Sequence, residues 1–222
     1  MIYLFHDEAG LATLNLEGDD FKHMIKARRH VVGDILLLRK GFDPIFYHYK
    51  IEAIHKKNAF LSFVKSETIT TQQGKTLHLG WSMIDPKSIE KVLPSLCELG
   101  VTQISFLSAK RTQQQFKIDE RRLDRIIKNS MQQSGRIDHI ELFFEQTLED
   151  FSAQHPKALV LDFCEHSLEK EEYYDTVILG PEGGFSDEEK KFLKDFTVRK
   201  LDTPMVLRSE TAALAIASKM LL

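Results

Sequence analysis

The sequence predicts an α/β protein of two domains, a small β-rich barrel followed by a larger domain built on a parallel sheet. Three observations lead there. Up to about residue 66, short apolar runs follow one another at close intervals with polar turns and one short helix, the pattern of a compact barrel. Beyond residue 76, strand-like and helix-like segments alternate, which implies parallel strands covered on both faces. Between the two, Glu67 to Lys75 is polar and has neither period. The boundary is set there, giving domains 1–68 and 74–222.

In the first domain the Gly33-Asp34 turn opens a strand over Ile35 to Leu38. Ile45 to Ile51 alternates as a second strand, and Ala59 to Val64 is a third, reached through Lys57-Asn58. Asp20 to Arg29 fits a helix, with Phe21, Met24 and Ile25 at helical spacing. The second domain begins with the strand Leu77 to Trp81. Asp85-Pro86 then caps a helix that buries Ile89, Val92, Leu93 and Leu96 and ends at Gly100; Pro94 inside it is expected to bend it. Further strands are expected at Gln103 to Leu107, His139 to Phe144, Ala158 to Phe163, Thr176 to Leu179 and Val198 to Leu201. Asp119 to Ser134 reads as an amphipathic helix with Leu123, Ile126, Ile127 and Met131 on one face. A capping box at Ser186-Asp187-Glu188-Glu189 opens a helix to about Phe196, and Ser209 to Leu222 closes the chain as an Ala-rich helix.

Composition narrows the function. With 42% hydrophobic and 28% charged residues over 222 positions, the chain is an ordinary globular one. No apolar run approaches the roughly 18 residues of a membrane span, and Met1 to Glu8 turns acidic too soon for a signal peptide. Cys97 and Cys164 form neither a metal-like spacing nor a disulfide framework, so a cytoplasmic chain without a metal is expected. A net charge of −3 argues against generic nucleic-acid binding, which needs many cationic contacts to phosphate. Charge is unevenly spread, however. Lys110 to Arg136 carries eight basic residues against three acids, and Lys22-His23 through Arg28-Arg29-His30 is a second basic cluster. Such asymmetry suits a specific anionic partner met by one face.

Three segments stand out. Gly180-Pro181-Glu182-Gly183-Gly184-Phe185 follows a strand directly, where glycines let backbone approach a ligand at the carboxyl end of a parallel sheet; taken alone, the loop is more simply explained as a tight strand-to-helix turn. It is neither a dinucleotide fingerprint nor a phosphate loop. In Leu207-Arg208-Ser209-Glu210-Thr211-Ala212, Ser209 suits an N-cap and Glu210 the positive helix end. Arg208 conflicts with that end unless an anion offsets it, and such local conflicts mark sites. The third segment is the helix bearing Arg121, Arg122, Arg125 and Lys128, which ends in Gln132-Gln133-Ser134-Gly135-Arg136. A solvated basic face accounts for the helix, while the polar terminus offers donors suited to phosphate or base edges. No paired histidines or Gly-x-Ser-x-Gly elbow support a metal enzyme or a serine hydrolase.

Together, Ile178 to Ser186, Leu201 to Thr203 and Leu207 to Ala212 resemble the signature of the RsmE-type rRNA methyltransferases, SPOUT-class enzymes that methylate N3 of a uridine in small-subunit rRNA. The similarity continues in Glu98-Leu99-Gly100-Val101 and Gln132 to Arg136, and reaches the first domain through His23, Arg28 and Gly33-Asp34. The resemblance implies a PUA-like β-barrel, a SPOUT-type parallel sheet threaded into a trefoil knot, a homodimer and S-adenosylmethionine as methyl donor. Carried onto this chain, the cofactor-binding residues are Leu161, Leu179, Gly180, Pro181, Glu182, Gly183, Gly184, Leu201, Asp202, Met205, Leu207, Thr211 and Ala212. Departures from the family pattern are Gln132 where an acid is usual, Asp138 in place of Pro, and Asp202 in place of Gly.

The implied reaction is methylation of a uridine N3 in 16S rRNA, on the assembled 30S subunit. Because N3 carries a proton, the protein must remove it, stabilise the charge on the uracil oxygens and align the reacting atoms. Arg208 is the expected charge stabiliser, and Glu210, Glu182 or water the proton acceptor. Arg28, Arg29, Arg121, Arg125 and Arg136 are expected to hold RNA. Alternatives are a SPOUT enzyme acting on a ribose 2′-hydroxyl or another base, and a non-catalytic RNA-binding protein.

Overall fold

The computed structural model describes residues 2–70, 74–110, 117–181 and 183–222. The chain divides into two compact units, Met1–Gln72 with Met131–Asp138, and Gln73–Ser130 with His139–Leu222.

The first unit is organised on strands β1 (Leu4–Phe5), β2 (Thr13–Glu17), β3 (Ile35–Arg39), β4 (Ile45–Ile54) and β5 (Asn58–Thr68), in the order β1-β3-β4-β5-β2. β1 runs parallel to β3, and the remaining pairs are antiparallel. Alternation directs Leu14, Leu16, Leu36, Leu38, Tyr49, Ile51 and Leu61 inward, against Phe21, Met24 and Ile25. Those last three lie on α1 (Gly18–Phe21) and the single π-helical turn Lys22–Ala27 that continues it. The expected helix over Asp20 to Arg29 is therefore shorter at its end, and Arg29 beyond it takes a positive φ of 59°. β5 runs on through Glu67 and Thr68, past the Val64 end that apolar alternation predicts. Backbone pairing of Ile45 with Thr68 holds this end. Such a polar strand end has no periodic signature.

Residues 131–138, expected in the second domain, group with the first unit through buried polar contacts. The Tyr3 hydroxyl donates to the Arg136 carbonyl at 2.6 Å, and the Phe5 N–H to Gln132 Oε1 at 2.7 Å. Arg39, only 2% exposed, donates to the carbonyls of Ile137, Phe42 and Asp43.

The second unit is a six-stranded sheet in the order β11-β9-β10-β6-β7-β8, parallel throughout. Its strands are β6 (His78–Ser82), β7 (Gln103–Ser108), β8 (Glu141–Thr147), β9 (Leu159–Leu161), β10 (Thr176–Leu179) and β11 (Thr197–Arg199). Helices α2 (Pro86–Leu99), α3 (Glu120–Ser134), α4 (Leu148–Gln154), α5 (Asp187–Phe192) and α6 (Ser209–Leu221) alternate with them. The Asp85 side chain accepts from Ser88 N–H at the start of α2, and Gly100 ends that helix at φ 98°. Pro94 lies inside the helix, and its carbonyl accepts the Ser130 hydroxyl at 2.9 Å. Short α4, unanticipated, is capped by Thr147 and buries Phe151 against β6 Gly80, where any Cβ would stand 2.4 Å from the ring.

Candidate active site at the carboxyl ends of β9, β10 and β11

Three neighbouring parallel strands end side by side, and the loops leaving them enclose a cavity of about 170 Å³. β9 contributes Leu161, Asp162 and Phe163. β10 contributes Leu179, Gly180, Pro181 and Gly184, and β11 is followed by Lys200, Leu201, Thr203, Met205, Val206 and Leu207. The start of α6 closes the wall with Ser209 and Ala212. Carboxyl ends of parallel strands are where α/β sheets bind ligands.

The glycine loop has this form for steric reasons. A Cβ on Gly180 would lie 3.0 Å from the ring of Phe185, which is 1% exposed, so ring or loop would have to give by a few tenths of an ångström. Gly184 sits at φ 68°, a conformation side chains disfavour, and its N–H closes the turn on the Pro181 carbonyl at 2.8 Å. Beyond the turn, the Ser186 capping box that opens α5 is formed as expected. Glu189 of that box is 3% exposed. Burial would raise its pKa, but N–H groups of Lys110 and Ser186 and the Ser186 hydroxyl hold it below the ordinary carboxylate value. One carboxylate thus ties the end of the β7 loop to the helix after the glycine turn. Lys110 and Glu188 add an ion pair.

The rim is apolar and open, with Phe163, Met205 and Val206 more than two-thirds exposed. Asp162 is largely buried and lies 3.7 Å from Lys190 Nζ. Arg208 is the N-cap residue of α6; it is exposed and its side chain makes no ion pair among the described residues. Ser209 is not the cap that the sequence predicts. It is the first helical residue, and its hydroxyl instead accepts the indole N–H of Trp81 at 2.8 Å, so the helix end carries no side-chain cap. Glu210, in the first turn, has a buried Oε2 with no hydrogen-bond partner among the described residues.

Of the expected cofactor-binding residues, Leu161, Leu179, Gly180, Pro181, Gly184, Leu201, Met205, Leu207 and Ala212 line this one cavity. Gly183, Asp202 and Thr211 do not, and all three are exposed. Glu182 lies outside the described residues. Thr203 and Val206 also line it, within the Leu201 to Leu207 loop that the family resemblance implies, and Asp162, Phe163, Lys200 and Ser209 line it without being expected there. Their only sequence signal is position beside a strand end or helix start.

Against this geometry, a family described as an RNA methyltransferase domain matches residues 71–221. A Helicobacter pylori protein named ribosomal RNA small subunit methyltransferase E is 37% identical over 98% of both chains. The chain belongs to the ribosomal RNA small subunit methyltransferase E family. An Aquifex aeolicus member is 28% identical, covering 84% of this chain and 93% of its own. A putative methyltransferase from Legionella pneumophila, solved in complex with the bound cofactor SAM, superposes with a TM-score of 0.75 at 27% identity. That match covers 99% of this chain and 95% of the other.

This family member's basic residues divide by how they are engaged. On α3, Arg122 pairs with Glu90 at 2.7 Å and Lys128 with Asp124 at 2.9 Å, whereas Arg121 and Arg125 are exposed with no carboxylate partner among the described residues. Arg136 is half-buried, its Nε donating to the Asp138 carbonyl at 2.6 Å. In the first unit, Arg28 Nη2 stands 3.2 Å from His23 Nε2, its Nε is buried without a partner among the described residues, and Arg29 is exposed. Gln132, where the family pattern has an acid, uses its amide oxygen as acceptor for Phe5, so the oxygen rather than the charge is what this position supplies.

Proposed function

We propose that this protein methylates N3 of a uridine in 16S rRNA of the small ribosomal subunit, with S-adenosylmethionine as donor. One observation carries the reading: the glycine loop after β10 and the start of α6, separated in sequence, line the same cavity, the helix through Ser209 and Ala212, with Arg208 and Glu210 adjacent in the chain but outside the lining. The donor set fits the cofactor. Backbone without side chains at Gly180 and Gly184 on the cavity wall suits adenosine, aliphatic walls from Leu161, Leu179, Leu201 and Leu207 suit its flat base, and Asp162 supplies the negative charge a cationic sulfonium favours. When bound, the cofactor supplies the methyl group as a sulfonium electrophile. Relatives that carry the methyltransferase name, and a related structure holding SAM, support the class.

The chain's own residues then have three tasks. Arg208, beside the cavity and with no ion pair among the described residues, stabilises negative charge developing on a uracil oxygen. Glu210, with an unpartnered carboxylate oxygen, accepts the N3 proton. Arg28, Arg29, Arg121, Arg125 and Arg136 hold the RNA backbone, with the target base unpaired or flipped to reach the donor. The first unit serves as a PUA-like barrel and the second as a trefoil-knotted SPOUT domain. The placement of β10 between β6 and β9, both earlier in the chain, supports such threading. A second copy covers the exposed Phe163, Met205 and Val206 in a homodimer, and the enzyme works in the cytoplasm.

The test is transfer of labelled methyl from S-adenosylmethionine to isolated small subunits and to naked rRNA, with the product nucleoside identified by mass spectrometry. N3-methyluridine on the assembled subunit is expected. Label on a ribose 2′-oxygen or another base would replace the substrate assignment, and binding without transfer would leave only an RNA-binding module.

A further inference from the structure

Trp81 is the single tryptophan of the chain and is fully buried. It sits near the end of β6, in register with Leu179 of β10 on one side and Phe106 of β7 on the other. Leu179 is the last residue before the glycine loop. The indole ring stacks on Phe106 at 6.2 Å, which in turn stacks on Phe144 at 5.5 Å, so its plane is set by an aromatic row across three strands. Its one polar atom leaves that row and donates to Ser209 Oγ at 2.8 Å, a buried bond spanning 128 residues. A buried indole N–H without an acceptor is costly, which makes this bond a strong determinant of where the serine sits.

Ser209 is the first residue of α6, which has no side-chain cap, and it lies between Arg208 and Glu210. The indole therefore fixes this helix start from the sheet, by donating to the serine hydroxyl rather than by accepting a helix N–H as a cap does. We infer that Trp81 is a positioning residue: it braces the α6 wall of the cavity against the strand that carries the glycine loop, and so sets where Arg208 and Glu210 stand relative to the bound cofactor. The inference rests on the reading of the cavity given above and deepens it. Trp81 does not line the cavity, so its influence passes through Ser209 and the backbone beside Leu179.

Two variants isolate the bond, Trp81→Phe, which keeps an aromatic ring and removes the donor, and Ser209→Ala, which removes only the acceptor. Steady-state methyl transfer is measured well below the unfolding midpoint, with circular dichroism to show that each is folded; should Trp81→Phe fail to fold, Ser209→Ala carries the test. Each should lower kcat roughly ten- to a hundredfold, with a much smaller change in cofactor KM, because a small misplacement of reacting groups acts on the chemical step. The double variant should be no worse than the poorer single one, since both break one bond. Independently of activity, the indole N–H resonance of the 15N-labelled protein is a single reporter. It should move in Ser209→Ala and again when S-adenosylhomocysteine is added to the parent. Variants with kcat within about twofold of the parent overturn the inference, as that is too little for lost positioning. So does a lowered kcat while the resonance ignores both Ser209 and the ligand. A parent whose resonance responds to both but which transfers no methyl to rRNA retains the brace and loses the substrate assignment.

Discussion

Arg208 and Gly180 show two ways in which a single residue is dictated by the site. Arg208 stands at a helix end that repels cations, unpaired among the described residues, and on the proposed reading an anion brought by the substrate offsets it. Arg208→Ala should therefore lower kcat for methyl transfer by roughly 10²–10³ while leaving the fold intact, as loss of a charge-stabilising donor does elsewhere; turnover near the parent value at saturating substrates would remove it from the chemistry. Gly180 is required by space. In Gly180→Ala the added methyl meets the buried Phe185 ring, so the ring and the loop that carries it must shift. Calorimetric titration should show S-adenosylmethionine binding weakened by at least about tenfold, equivalent to roughly 1.4 kcal/mol. Both residues are visible in the sequence, one through a charge conflict and the other through glycine density. Ser209 is visible too, but its partner Trp81 is not, so local chemistry predicts a cap where the hydroxyl in fact serves the indole.

Elements are legible where a cap or a period marks them. The Asp85-Pro86 start and Gly100 end of α2, the Ser186 box of α5 and the apolar stripe of α3 all lie where local chemistry puts them. β1, with two residues, has no period to read, whereas β2 does alternate and could have been found by its pattern. Glu189 joins two elements, because its carboxylate serves both its own cap and the Lys110 N–H. Glu189→Ala should destabilise the protein by about 1–2 kcal/mol or somewhat more, the range for a lost cap plus an orphaned donor, measurable as a lower urea midpoint with unchanged slope. Gly80 is the corresponding packing constraint under α4. Gly80→Ala forces a methyl into Phe151 and should cost at least the roughly 1–3 kcal/mol of an overpacked core.

For the molecule as a whole, sensitivity to acid has an identifiable source in the second unit. His78 is drawn down to about 4 from an ordinary 6.5, first by burial and then by the neighbouring His155, with Glu141 and Asp175 opposing. Between those values the unfolded chain binds a proton that the folded one refuses, so stability is complete above about pH 6.5 and is lost as pH falls toward 4. Thermal unfolding followed across that window should show a falling midpoint, with a shallower fall in His78→Gln. RNA affinity should depend on salt, and replacing Arg121 and Arg125 by Ala should reduce the slope of log K against log salt by about one for each phosphate that is no longer neutralised.

Local chemistry suffices for the order and type of most elements, for the two-part division near residue 70, and for the loops that carry the family signature, because caps, turns and periodicity act over a few residues. Three further facts require the folded chain: that the segment 131–138 belongs with the first unit, that β10 lies between β6 and β9, and that Trp81 anchors the start of α6. Each depends on partners remote in sequence, up to the 133 residues that separate Tyr3 from Arg136. Strand neighbours and buried hydrogen bonds are chosen by whole-chain packing, and no short window of residues records that choice.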